Sequence, residues 1–351
     1  MLPGPRRASL ILFAGLAAAL AACSPPAPQK NTPAPAGIVN VYSGRHYDAD
    51  KAVFRAFTEE TGIDVRAIEA DGAQLLERLK AEGEFTNADV IMTVDAGNLA
   101  RLVEAGLLAP LSSPAVEAVP ARYRDPQGRW VAFARRARVI IYQKGAVDPA
   151  TLTSMDDLVK PDWRGAICVR TGANLYNLSL MAARIERDGP ERAQAWAKGM
   201  VANFARQPQG SDTDQLRAVA AGDCKIAIVN HYYLARMQGS DDPADRAVAE
   251  KVGIVFPDQA GAGAHVNISG AGVSVHARNR DNAQKLVEYM TTAKAQQIIA
   301  DMNDELPVAD GVALPAPLAA MAGFKEEDVA FDAIGARQGE AQRLFETAGW
   351  R

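Results

Sequence analysis

Four of the eight tyrosines in this 351-residue chain stand where an apolar, strand-like run gives way to a helix-like one. Tyr47 follows the run 38–42, Tyr176 follows 166–169, and Tyr232 and Tyr233 follow 225–229. His46 and His231 directly precede two of these sites. In open α/β sheets, ligands bind beyond the carboxyl ends of the strands, so these are the positions where side chains can do chemistry. A phenolate is a hard anionic donor that suits a hard, highly charged cation. A free tyrosine has a pKa near 10, so only such a cation holds several of them deprotonated at neutral pH. Zinc or copper would ask for His and Cys, but the chain has four histidines without a His-x-x-x-His spacing, and three cysteines. Calcium would ask for a loop of carboxylates, which is not found. A hydrolase would need an activated nucleophile; there is no Gly-x-Ser-x-Gly, and no thiol lies near a histidine pattern.

These tyrosines need elements to position them. The run Ile38, Val39, Asn40, Val41, Tyr42 reads as a strand, followed by a helix with Asp48 as N-cap, Val53, Phe54 and Phe57 on one face and Gly62 as its stop. Alternation at 63–68, a helix through Leu75, Leu76 and Leu79, and a strand at 89–94 continue the pattern. Such βα alternation predicts mostly parallel sheets covered by helices. The middle of the chain repeats it, with strands at 166–169, 225–229 and 252–256 and a helix over 178–185. Two lobes are expected: residues 38–132 with 260–308, and residues 133–259 with 309–351. The run 130–133, continuing through 139–142, is the first crossing between them, and the glycine-rich run 261–275 is the return. Helices at 283–290 and 340–347 close the chain.

Residues 1–22 read as an export signal: Arg6 and Arg7, a small apolar stretch over 8–19, then Leu20, Ala21, Ala22 and Cys23. The stretch is shorter than a spanning helix requires. A cysteine after such a site resembles the lipobox of bacterial lipoproteins, which implies cleavage before Cys23 and acylation of its thiol. Residues 23–37, rich in Pro and Ala, read as a tether. Outside the cytoplasm disulfides persist, and Cys168 and Cys224, each in or beside a predicted strand, are expected to be bonded. The net charge of −4, with no Lys/Arg block, argues against nucleic acid as a partner.

Longer motifs carry a family resemblance. Tyr42-Ser43-Gly44-Arg45-His46-Tyr47-Asp48 resembles the opening signature of the periplasmic ferric-ion-binding proteins of ATP-driven iron importers. So do the runs 88–97 and 136–140, Asn174-Leu175-Tyr176-Asn177, the run 209–214 and Asn230-His231-Tyr232-Tyr233, in order from about Val39 to Trp350. The resemblance implies an α/β, two-lobed periplasmic-binding-protein fold, each lobe a mostly parallel sheet flanked by helices and hinged by crossing strands. It implies Fe(III) held by Tyr47, Tyr176, Tyr232 and Tyr233, with His46 as a further ligand. It also implies a carrier and not an enzyme: a lipid-anchored, periplasmic or cell-envelope monomer delivering iron to an ABC importer permease. Four phenolates around Fe(III) leave one negative charge, which Arg136 or Arg138 from the crossing strand could offset, while Arg135 points to the opposite face. Thr171, Gly172 and Ala173, read as the start of a helix, could present backbone N–H groups to a synergistic anion such as carbonate. The rival within binding proteins is a small organic or oxyanion solute, thiamine-like or phosphonate, with the tyrosines stacking instead of coordinating. Near the tail, relatives often carry an aromatic before Val-Pro-like residues. Glu305-Leu306-Pro307 stands here, and the expected consequence is confined to tail packing.

Overall fold

Alternating apolar residues at the start of the folded region form β1 (Gly37–Ser43), whose Val39 and Val41 are fully buried. The computed structural model describes residues 37–351, so Cys23, the export signal and the tether up to residue 36 lie outside the described residues, and Gly37, taken as the tether's last residue, is the first of β1. β1 lies parallel to β2 (Ile63–Glu69) and β3 (Val90–Val94), joined by helices Asp48–Thr61 and Gly72–Glu82. Gly62 ends the first helix in the left-handed region at φ 72°, its N–H donating to the carbonyl of Thr58, a conformation that favours glycine. The N-cap of that helix is Tyr47 in extended conformation, and not Asp48. Asp48 is instead the first helical residue, where its carboxylate meets the positive helix end.

Further on come β4 (Leu108–Ala109), β5 (Val131–Gln143), β6 (Ile167–Cys168), β7 (Ile226–Asn230), β8 (Val252–Val255) and β9 (Val266–Ser274). The sheet order is β2-β1-β3-β9-β5-β7-β6, with β4 on β9 and β8 on β5. The sequence favoured mostly parallel sheets, but the sheet is mixed. Pairs joined by helical crossovers (β1 with β2 and β3, β6 with β7) are parallel; every pair made by β5 or β9 is antiparallel. Those two strands are the expected crossings, and they travel against the strands they join. β5 pairs with β9 as far as Ala137 and with β7 from Arg138 onward, so one continuous strand serves both lobes. β9 is buried along its whole length, as a strand covered on both faces must be.

Cys168, at the end of β6, is bonded to Cys224, two residues before β7, with Cα atoms 5.8 Å apart. Closing this loop of 56 residues is worth ~4 kcal/mol in the chain-entropy model. The bond therefore ties together the two strands that carry Tyr176 and the Tyr232–Tyr233 pair. The C-terminal helix Gln338–Ala348 packs on helices Leu175–Asp188 and Pro190–Ala202. Behind it the buried Trp350 indole donates to the carbonyl of Arg170 at 2.8 Å. Among the described residues no helix is long and apolar enough to cross a membrane.

Candidate metal centre

Each tyrosine is placed by a local device at a strand end. After β1 the chain turns: the Ser43 hydroxyl accepts from the Arg45 N–H at 3.0 Å and donates to the Arg45 carbonyl at 2.9 Å. The Arg45 side chain is buried and its Nε donates to both oxygens of Asp50 at 3.1 Å. Tyr47 follows at the N-cap, and the exposed His46 lies beside it with ring centroids 5.3 Å apart. After β6, Asn174 caps helix Leu175–Asp188 by accepting from the Tyr176 N–H at 3.2 Å. After β7, His231 opens helix His231–Gly239, and Tyr232 and Tyr233 are its second and third residues. His231 is buried; its Nδ1 accepts from the Ala137 N–H at 3.1 Å, which pins this helix to β5. Burial pushes its pKa down to about 3, so it is neutral and structural.

Three of these tyrosines line one cleft of about 780 Å³: Tyr47, Tyr176 and Tyr233, with His46, Arg170 and Arg236 also on its wall. Tyr232 lies just behind, 2% exposed. Its hydroxyl is 3.5 Å from that of Tyr176, and its ring stacks on Tyr233 at 4.4 Å. Residues 56 apart in sequence thus point their phenol oxygens at one spot.

Burial raises the pKa of all four tyrosines above the ordinary value. The next causes are informative. Tyr176 raises Tyr47; Tyr233 raises Tyr176; Tyr176, Tyr233 and Tyr47 all raise Tyr232. Such mutual repulsion requires the four phenols to be near neighbours. All four are neutral phenols near pH 7 unless a strongly charged cation replaces their protons. Among the described residues no cluster of three or more His, Cys, Asp or Glu could hold a metal ion; the cleft wall carries the carboxylates of Glu69 and Asp71, and the tyrosines are the hard oxygen donors gathered in and just behind it.

Guanidinium groups surround this set. Arg136 and Arg138 sit two apart on β5 and share one face, both buried. With Arg170 they lie 5.7, 5.7 and 5.5 Å from the centre of the Tyr176 ring. Arg138 is held by Asp212 and Asn177, each at 2.7 Å. Arg136 donates through Nη1 to Ser269 at 2.9 Å, while its buried Nε and Nη2 have no hydrogen-bond partner among the described residues. Arg135 turns away, toward the Pro307 carbonyl and Glu326.

Thr171, Gly172 and Ala173 do not line the cleft, although their neighbours Arg170 and Asn174 do. Thr171 and Ala173 face solvent, and Gly172 lies against the Trp350 carbonyl, where a Cβ would come within 2.3 Å. The helix begins only at Leu175, so its free N–H groups start later than the sequence suggests.

Sequence reasoning did not place Glu305 at this centre. It is buried and accepts from Arg45 Nη2 at 2.9 Å, Ser269 at 3.1 Å and Asn303 at 2.7 Å. Burial works to raise its pKa, but Arg45 and Arg136 outweigh it and hold the carboxyl at about 2. Arg45, Arg170, Arg236 and Ser269 were missed too. The one signal was the departure from the family pattern at Glu305-Leu306-Pro307, which the sequence alone reads as a matter of tail packing.

The chain belongs to the bacterial extracellular solute-binding proteins, whose family model matches residues 52–326. It is 44% identical over 329 residues to iron uptake protein A1 of Synechocystis, covering 93% of this chain and 91% of that one. It is 30% identical to the major ferric iron-binding protein of Neisseria meningitidis serogroup B, over 97% and 99% of the two chains. Among solved structures it is similar to Trichodesmium FutA in complex with iron and citrate ligands: TM-score 0.86, 46% identity, 90% of this chain and 100% of that one. The ferric binding protein from Campylobacter jejuni superposes with TM-score 0.85 at 37% identity, over 89% of this chain and 100% of that one. The two-lobed periplasmic-binding-protein fold and the resemblance to ferric-ion-binding proteins are both borne out.

Proposed function

We propose that this protein is a carrier that captures Fe(III) as cargo between its lobes and delivers it to an ABC importer permease, without turning over a substrate. The ligands are Tyr47, Tyr176, Tyr232 and Tyr233, with His46 at the cleft edge completing the set. One observation carries the reading: phenols from three strand ends gather at one cleft, Tyr47, Tyr176 and Tyr233 lining it and Tyr232 just behind, while no cluster of three or more His, Cys, Asp or Glu among the described residues competes for a metal. The relatives' names, iron uptake protein and ferric iron-binding protein, support it.

Because Tyr47 comes from the other lobe than Tyr176, Tyr232 and Tyr233, a bridging cation favours the closed state through its differential affinity. The chain's own groups bind and orient: Arg136 and Arg138 offset the surplus charge of four phenolates, and the pinned helix His231–Gly239 fixes two of the rings. A synergistic anion would find its donors on Arg136, whose Nε and Nη2 have no partner among the described residues, in place of residues 171–173. Attachment of the exported monomer to the membrane through an acylated Cys23 is proposed on the sequence alone.

The test is a visible spectrum of the purified protein after loading with ferric nitrilotriacetate. Phenolate bound to Fe(III) gives an intense charge-transfer band. A protein that stays colourless and takes up no iron at neutral pH would refute the reading and favour a solute against which the rings only stack.

A further inference from the structure

Three of the arginines that contact the proposed ligand rings are held by one short segment. Arg45 lies 4.7 Å from the centre of the Tyr47 ring, and Arg136 lies 5.7 Å from that of Tyr176. Arg236 lies 5.5 and 5.8 Å from those of Tyr232 and Tyr233. Glu305 receives Arg45 Nη2 at 2.9 Å and has Arg136 Nη1 at 3.6 Å, with the Ser269 hydroxyl bridging between. Asn303 receives Arg236 Nη2 on its side-chain oxygen at 2.8 Å and on its carbonyl at 3.0 Å, and Asp304 lies 3.8 Å from Arg236 Nε. Asn303 then donates to Glu305 Oε2 at 2.7 Å, closing the two arms into one unit.

We propose that residues 303–305 are a positioning brace that sets the four tyrosines of both lobes relative to one another, acting through Arg45, Arg136 and Arg236. The backbone is shaped for this. Helix Ala293–Asn303 ends at Asp304 in the left-handed region, φ 56°, which is uncommon for a residue other than glycine. That turn brings Glu305 back beside the Asn303 side chain. Leu306 then exchanges backbone hydrogen bonds with Arg135, at 2.8 and 3.0 Å, which locks the segment to β5 next to Arg136. Glu305, Ser269, Asn303, Arg45 and Arg136 are all buried, so that arm of the brace is dry and its geometry has little freedom, while Arg236 is exposed at the cleft wall. Groups that orient metal ligands without touching the metal typically change affinity about 10- to 100-fold when removed.

The proposal rests on the ferric reading, and charge gives it a sharp sign. Binding Fe(III) on four phenolates makes the centre more negative, so deleting a nearby negative charge would by itself tighten binding. Weaker binding on neutralising Glu305 therefore reports position and not charge.

The experiment compares wild type with Glu305→Gln and Asn303→Ala. Fe(III) affinity is measured by competition with citrate, together with the charge-transfer maximum and the thermal midpoint of the iron-free form. Asp125→Asn is the control: it breaks a carboxylate–arginine pair of 2.8 Å with Arg129, away from the tyrosines. Glu305→Gln is expected to bind roughly 10- to 100-fold more weakly, with a shifted charge-transfer maximum. Asn303→Ala should move both readouts in the same direction, and the double variant should lose less than the sum of the two. Asp125→Asn should lower only the thermal midpoint. Should Glu305→Gln fail to fold, Asn303→Ala decides alone, since it leaves the buried charges paired. Equal or tighter binding with an unmoved maximum overturns the brace, as does an equal shift in Asp125→Asn. A wild type that takes no iron sinks the ferric reading and the brace together.

Discussion

The two lobes bring their tyrosines to the cleft in different states of readiness. Tyr176, Tyr232 and Tyr233 form a pre-assembled face. Two rings stack, two hydroxyls lie 3.5 Å apart, three guanidiniums ring Tyr176, and a disulfide joins the supporting strands. Tyr47 arrives alone on a turn, beside an exposed His46, anchored through the buried Arg45. The difference separates two tasks. On the proposed function, the trio defines where a cation is captured, and the lone tyrosine, with the most to gain from closure, converts capture into a closed state.

Acidity should produce the largest effect, because it acts on both sides at once. All four tyrosines have raised pKa values and are protonated in the free protein, so each that binds must release a proton. Affinity should fall as pH falls, roughly tenfold per pH unit for each tyrosine engaged. A chelator competition across pH gives the slope, and Tyr47→Phe should lower it by one proton. A flat profile would break the phenolate reading. Next comes Tyr232→Phe with Tyr233→Phe, which guts the pre-assembled face. It should weaken iron by more than about 100-fold, beyond the range for groups that only orient ligands, and abolish the visible band. Tyr47→Phe should leave a coloured complex but remove the iron-induced compaction seen by small-angle scattering; if compaction persists, the division of tasks is wrong. Replacing Cys168 and Cys224 by alanine should cost ~4 kcal/mol, with amides of β6 and β7 exchanging faster while β1 to β3 are unchanged. Smallest is His46→Ala, whose exposed ring should change affinity only a few-fold in the same competition assay.

Much of this was legible beforehand. The βα alternation located β1, β3, β5, β7 and β9, since burial on a sheet face leaves a short-range apolar pattern. The junction tyrosines and the bonded cysteines could be picked out because their residue types are rare and their positions are local to strand ends. Strand direction was not: nothing short-range says that β5 and β9 run against their neighbours. The helix start expected at residues 171–173 also came too early, because Gly172 is committed to packing under Trp350, a contact from the far end of the chain.

By itself, then, the amino-acid order determined most of the elements and the placement of the four tyrosines at strand ends, both of which rest on neighbours a few residues away. Only the tertiary structure decided who stands behind the ligands. Arg45 and Glu305 are 260 residues apart and Arg45 and Ser269 are 224 apart. Desolvation makes an unpaired buried charge too costly to keep, so these groups had to find one another once the lobes folded. Such a pairing leaves no periodic trace along the chain.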